Sequence, residues 1–269
     1  MAIAVKFVTD QGIPAGEVVM WRFLFGLLTL QVLSGFNLIE VSHKRARALM
    51  GRGITGGVAI LLYFLSIQHT TLTKATLLSN SYPVFAALFG VLVLRERMTF
   101  RTLLVFVASM VGVWLVVNPR GQQWVLGDIY GVIGAAAAGS AIVFIRHLRQ
   151  TENPFSIFWY LCAFGTGLGA FTCMFQFVWP DGVAWVWILV MGISSTLGQL
   201  LITYGFGYCR AGEGSLITMS TVAYSGLFAW FALGERMPLA GIAGAGVIVA
   251  CAGYLAARPT PQSEASISD

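Results

Sequence analysis

A chain of 269 residues with 57% hydrophobic and only 10% charged residues, and a mean hydropathy of +0.80, cannot cover itself with water-compatible surface. Soluble domains carry about 25% charged residues, so the composition excludes a water-soluble body and makes the lipid bilayer the solvent. The net charge of +5 sits in short stretches between apolar segments, which is a topology signal and excludes nucleic acid as a partner.

A spanning helix needs about 20 predominantly apolar residues. Nine segments qualify in chain order: 15–36, 53–69, 75–94, 102–118, 127–145, 155–178, 183–207, 214–234 and 239–257. A tenth stretch, residues 1–9, is apolar but reaches about 14 Å at 1.5 Å per residue, half the hydrocarbon thickness. The tail after Pro259 is rich in Ser, Pro and acidic residues and is expected to be disordered.

The segment 75–94 closes on Leu94-Arg95-Glu96-Arg97-Met98, and 214–234 closes on Leu233-Gly234-Glu235-Arg236-Met237, 139 positions later. At the same offset Leu61-Leu62 matches Leu200-Leu201, and Leu88-Phe89 matches Leu227-Phe228. Lys6 and Pro14 match Arg146 and Pro154 at an offset of 140. The chain therefore reads as a duplication: repeat 1 over 1–119, repeat 2 over 127–258, and a cytoplasmic tail over 259–269. The partner of the segment that starts at 127 would begin about thirteen residues before Met1, so the first helix is expected to be partial, with a late start favoured over a tolerated half-helix. No small-residue cleavage site follows the stub, which argues against a signal peptide.

With the missing front of helix 1 placed in the cytoplasm, eleven Lys and Arg fall in cytoplasmic loops or the C-terminus, Arg52 among them. Four fall outside: Lys6, Lys74, Arg120 and Arg236. Five helices per half is an odd number, so the halves have opposite orientation. The expected fold is an all-α polytopic membrane protein: an inverted repeat of two five-helix halves, with nine full transmembrane helices plus a partial first helix. Secondary transporters share this plan, with a site near the bilayer midplane.

Polar residues at mid-helix mark where that site is expected. Helix 75–94 carries Ser79-Asn80-Ser81-Tyr82-Pro83 at its centre. Pro83 cannot donate to the carbonyl four residues back, so Ser79 gains a free acceptor, and broken backbone at depth is tolerated where it is buried or lines a cavity. The matching band in helix 214–234 runs from Thr218 through Ser220 and Thr221 to Tyr224. The alternative is that Ser and Thr bond back to their own helix or a neighbour, which fits Asn80 least because its amide needs several partners. Tyr63, Trp159, Tyr160, Tyr204 and Tyr224 are candidates for a pocket wall, and Gln199 is a further polar candidate. Trp124, Trp179 and Trp185 lie near helix ends and read as interface anchors. Arg22 and Lys6 are ionisable residues within spans, fit for a substrate carboxylate or phosphate, or else snorkelling or paired with Glu17 or Asp10. Glu96 and Glu235 read as structural. Gly165, Gly167 and Gly169, and the pairs Gly241/Ala245 and Gly246/Ala250, are small residues that let helices approach.

Several chemistries lack their residues. No Gly-Lys dipeptide exists, so there is no P-loop. Cys162, Cys173, Cys209 and Cys251 form no CxxC pair and read as packing residues, with neither metal nor cofactor implied. His43, His69 and His147 sit at helix ends without a carboxylate at catalytic spacing, which argues against an enzyme. A channel would need a filter loop or a ring of like residues, and neither is present. No Asp or Glu lies at the centre of a helix, which points to facilitated diffusion, exchange, or coupling through peripheral groups such as Glu17.

The segment Ala75–Met98 with Gly112-Val113, and its second copy Gly214–Met237 with Pro238, resembles the drug/metabolite transporter superfamily, specifically the EamA-type ten-helix carriers. The resemblance covers essentially the whole chain, apart from the front of helix 1, which in the family lines the central cavity. It implies a carrier for a small metabolite, an amino acid or related compound, working by export or exchange as a monomer or homodimer in a bacterial inner membrane. Uptake of a larger metabolite such as S-adenosylmethionine or riboflavin, or a non-transporting membrane role, is the alternative.

Overall fold

The computed structural model describes residues 8, 11–69, 75, 78–95, 99–117, 125–220 and 239–256. Among these residues the fold is all-α, without strands. The helices are α1 (Ala15–Gly35), α2 (Ala46–His69), α3 (Tyr82–Leu94), α4 (Phe100–Val117), α5 (Leu126–Leu148), α6 (Pro154–Cys173), α7 (Gly182–Gly205), α8 (Ala211–Thr218) and α9 (Leu239–Ala256). Gly16–Gly35, Leu126–Leu148, Pro154–Cys173 and Gly182–Gly205 are each long and apolar enough to cross a bilayer. Large apolar side chains such as Leu92, Leu104 and Leu201 are exposed, as expected where acyl chains replace water.

The chain divides into two compact units. The first joins Met1–Phe64 to Phe144–Gly207, and the second joins Leu65–Val143 to Tyr208–Asp269.

In the first unit α1 packs against α6 and α7. Burying apolar surface against lipid-like surface yields little, so close backbone approach has to hold such helices together. Glycines supply it. A Cβ on Gly26 would lie 2.8 Å from Cys162 Sγ, and one on Gly169 would lie 2.7 Å from the backbone nitrogen of Met20. Gly165 faces the ring of Phe23. Val19, Phe23 and Leu30 of α1 meet Phe158, Leu161 and Cys162 of α6 in one core cluster. A second cluster places Val18 with Ala184, Ile188 and Met191 of α7, and includes Val8 from the N-terminal stretch. Trp21 and Trp185 flank it edge to face, with ring centroids 4.8 Å apart. Trp185 therefore packs on the core, whereas Trp179 is exposed as an anchor would be. The start of α6 is capped by Asn153, whose Oδ1 accepts from Ser156 N at 2.8 Å while its Nδ2 donates to the Glu40 carbonyl at 2.7 Å.

In the second unit α4 packs on α9, and α8 lies against α3 and α9. Leu216 and Met219 meet Ile248, with Val105, Phe106 and Met110 packed around them. A Cβ on Gly139 of α5 would come within 2.7 Å of the Ala86 backbone nitrogen, and one on Gly112 of α4 within 3.0 Å of the Gly244 carbonyl.

Four expectations change. The helix expected from 53 begins at Ala46, which carries Arg52 into the helix interior. The helix expected over 75–94 is interrupted by a turn at Asn80-Ser81 before α3 starts at Tyr82. The helix expected to reach 178 ends at Cys173. Gly167 and Gly246 face open space, whereas Gly165 and Gly169 make the close contacts expected of them and Gly112 makes a further one. Of the two Glu-Arg-Met closures, the first is a helix end: Arg95 caps α3 in the left-handed region (φ 53) with its N–H on the Gly90 carbonyl. Residues 96–98, the second closure, Trp124 and the tail 259–269 lie outside the described residues.

Candidate functional site

The polar band of the second unit is built by the interruption before α3. The Leu78 carbonyl accepts from Ser81 N at 3.1 Å and from Ser81 Oγ at 2.6 Å, closing the turn. Pro83 then falls in the first turn of α3, where its missing N–H costs nothing. Proline thus starts a helix here, whereas the sequence places it inside one, with a freed acceptor at Ser79. Ser79, Asn80 and Tyr82 are half-buried at this turn. The Tyr82 hydroxyl hydrogen-bonds with Thr218 Oγ1 and donates to the Ser215 carbonyl at 3.4 Å. Thr218 Oγ1 in turn donates to the Ser215 carbonyl at 2.7 Å. The structure thus brings Tyr82 to the start of the band that runs from Thr218. Thr221 and Tyr224, further along, lie outside the described residues, as does Lys6.

In the first unit Arg22 is half-buried on α1, and its Nε donates to Ser195 Oγ of α7 at 2.7 Å. Its guanidinium carbon lies 5.2 Å from the centroid of Phe23. Glu17, the sequence-level candidate partner, is engaged elsewhere: its carboxylate accepts from Trp21 Nε1 at 3.1 Å and from the Val178 backbone N–H at 2.9 Å. Among the described residues Arg22 has no ion pair with a carboxylate.

The remaining candidates are dispersed. Trp159 lies in the second turn of α6, edge to face with His43 (5.7 Å) and Tyr160 (5.1 Å). His43 Nδ1 is 3.0 Å from the Tyr160 hydroxyl. These three rings gather at the loop end of α6 and not at its middle. Tyr204 is exposed near the end of α7, with the Arg149 guanidinium 5.5 Å from its ring centroid. Gln199 is half-buried on α7, and its carbonyl accepts from Thr203 Oγ1 at 2.7 Å. Tyr63 is half-buried on α2.

Two residues escaped the sequence reading. Ser195 has no signal beyond being a serine in an apolar run. Arg52, 5% exposed, was assigned to a loop because basic residues were counted as topology markers. Its position between Gly51 and Gly53 in a run that turns apolar was the available signal. Among the described residues no three His, Cys, Asp or Glu side chains come together. The polar contacts described here are made by hydroxyls, as in Tyr82 with Thr218, and by a guanidinium, as in Arg22 with Ser195.

The profile of the EamA-like transporter family matches residues 1–118 and again 125–256. The chain is 26% identical to the pseudopaline exporter CntI of Pseudomonas aeruginosa, over 89% of this chain and 85% of that protein. It is 24% identical to a riboflavin transporter of Brucella anthropi, over 76% of this chain and 74% of that protein. A crystal structure superposes with a TM-score of 0.77 at 15% identity, covering 95% of this chain and 96% of the other, which is a likeness of fold. The chain belongs to the EamA-like transporter family: it is a multi-pass membrane transporter with a small-molecule substrate.

Proposed function

We propose that the protein exports or exchanges an amino acid or related small metabolite by alternating access, as an inverted repeat of residues 1–119 and 127–258 in a bacterial inner membrane with a cytoplasmic C-terminus. The observation that carries this reading is the hydrogen bonding of Tyr82 to Thr218 and the Ser215 carbonyl, which joins the two sequence-related polar bands inside one unit. Each unit also combines residues of both repeats: Met1–Phe64 with Phe144–Gly207 in the first, and in the second Leu65–Val143, which runs from repeat 1 into repeat 2, with Tyr208–Asp269. The residues proposed to handle the solute are Ser79, Asn80, Tyr82, Thr221 and Tyr224 in the second unit, and Arg22, Lys6, Tyr63, Trp159, Gln199 and Tyr204 in the first.

The similarity to an exporter of pseudopaline supports outward movement of a metabolite. Facilitated diffusion or exchange suits the distribution of acids. Glu17 and Asp128 are buried, but both lie in first turns, and Glu17 already accepts two hydrogen bonds. A proton relay would favour a carboxylate nearer mid-helix.

Comparison of the medium from cells with and without the protein tests the reading. Expression should raise one metabolite, or one chemically related group, several-fold outside the cells. Depletion of a metabolite from the medium would reverse the direction to uptake, and identical media would remove the proposed export.

A further inference from the structure

Arg52 and Arg22 stand in the same local pattern. Each arginine precedes a glycine by four residues, Arg22 before Gly26 on α1 and Arg52 before Gly56 on α2. The two glycines close on consecutive residues of α6: a Cβ on Gly26 would lie 2.8 Å from Cys162 Sγ, and one on Gly56 would lie 2.7 Å from Leu161 Cδ1. Arg52 Nη1 and Leu161 Cδ1 of α6 both crowd the space beside Gly56. Each guanidinium extends toward the middle of its own helix. Arg52 Nη1 lies against Gly56, one turn deeper into α2. Arg22 reaches Ser195, nearly one turn further along α7 than Gly192, which itself faces Phe25.

Arg52 is 5% exposed, and its Nε and Nη1 have no hydrogen-bond partner among the described residues. A buried guanidinium is costly to hold without an acceptor, so native proteins pair such charges. Thr166 lies one turn beyond Cys162, on the same side of α6, and its Oγ1 is likewise buried without a partner among the described residues. Arg52 and Thr166 each hold a buried polar atom without a partner among the described residues, Arg22 lies on α1 packed against the same α6, and no described carboxylate pairs with either cation.

We infer that Arg52, with Arg22 and Thr166, forms a binding site inside the first unit for a carboxylate group of the transported solute. This rests on the transport reading. A carboxylate fits better than phosphate, because a singly charged group is cheaper to desolvate at this depth and a guanidinium fork still matches it bidentately. The substrate class is then a carboxylate-bearing metabolite. Arg52 is the group whose charge is left for the solute to neutralise.

The full chain in lipid nanodiscs tests the site without transport. Thermal unfolding, followed by tryptophan fluorescence, is measured with benzoate, glutamate and citrate, with their methyl esters, and with inorganic phosphate. Carboxylates should raise Tm saturably and the esters should not. Arg52→Gln should abolish the shift, and Arg52→Lys should keep part of it. Without any ligand, Arg52→Met should raise Tm by about 2–8 °C, because an uncompensated buried charge is removed. A fall in Tm for Arg52→Met would show that the guanidinium is satisfied inside the bundle, and would overturn the site. No shift with any carboxylate, or a shift with phosphate alone, would overturn the carboxylate assignment. A ligand shift that persists in a protein unable to transport would leave this site standing and remove the transport reading.

Discussion

Gly169→Val is expected to abolish recovery of folded protein. The new Cβ would lie 2.7 Å from Met20 N and 2.8 Å from Met20 Cα, which are backbone atoms of α1 and cannot rotate aside. Relief requires α1 to move off α6, which would also open the Phe23 and Phe158 cluster. Overpacking of this kind costs about 3 kcal/mol or more, a large share of a typical stability of about 5–15 kcal/mol. Gly167→Val, two residues away on the same helix, meets nothing within 4 Å and is the internal control. Size-exclusion profiles and Tm of the two variants in one detergent make the comparison. Gly167→Val should match the parent within a degree or two, and equal behaviour of the two variants would contradict the packing described for α1 and α6.

The second large effect is expected on transport without loss of fold. Tyr82→Phe removes the hydroxyl that joins α3 to Thr218 and the Ser215 carbonyl, while Thr218 Oγ1 keeps its own bond to that carbonyl. The fold should lose only about 1 kcal/mol, the usual net worth of such a bond. Asn80→Ala removes an amide at the turn before α3 and should be similarly mild for stability. Each change alters the polar band proposed to handle the solute. A lost polar contact worth about 1.4 kcal/mol lowers affinity tenfold, so efflux of the identified metabolite should fall about tenfold in each variant at unchanged expression. Parental kinetics in both variants would remove the band from the transport pathway.

How far the sequence carried the fold depends on what each signal measures. Apolar length located α1, α4, α5, α7 and α9 to within a few residues, because hydrocarbon thickness fixes the length of a span. It failed at Arg52, where a basic residue was taken to end a helix. A guanidinium can be carried into a helix when glycines on both sides leave room for the neighbouring helix, and hydropathy does not register that room. It failed again at Asn80-Ser81: an apolar run over 75–94 reads as one helix with its backbone broken at Pro83, but Ser81 closes a turn onto the Leu78 carbonyl and lets a new helix start at Tyr82. The duplication brought the bands at Tyr82 and Thr218 to notice together, although it could not say which hydroxyls would meet. Arg22 stood out as a charge in a span, while its partner Ser195 depends on tertiary packing and has no signature of its own.

Counterflow in proteoliposomes is the most direct test of the account as a carrier. Vesicles are preloaded with the unlabelled metabolite identified from the medium, and entry of the labelled form is followed with and without a pH gradient. The account predicts saturable entry with a transient overshoot that requires the preload and does not require the gradient. Entry that rises linearly with concentration and ignores the preload would contradict it.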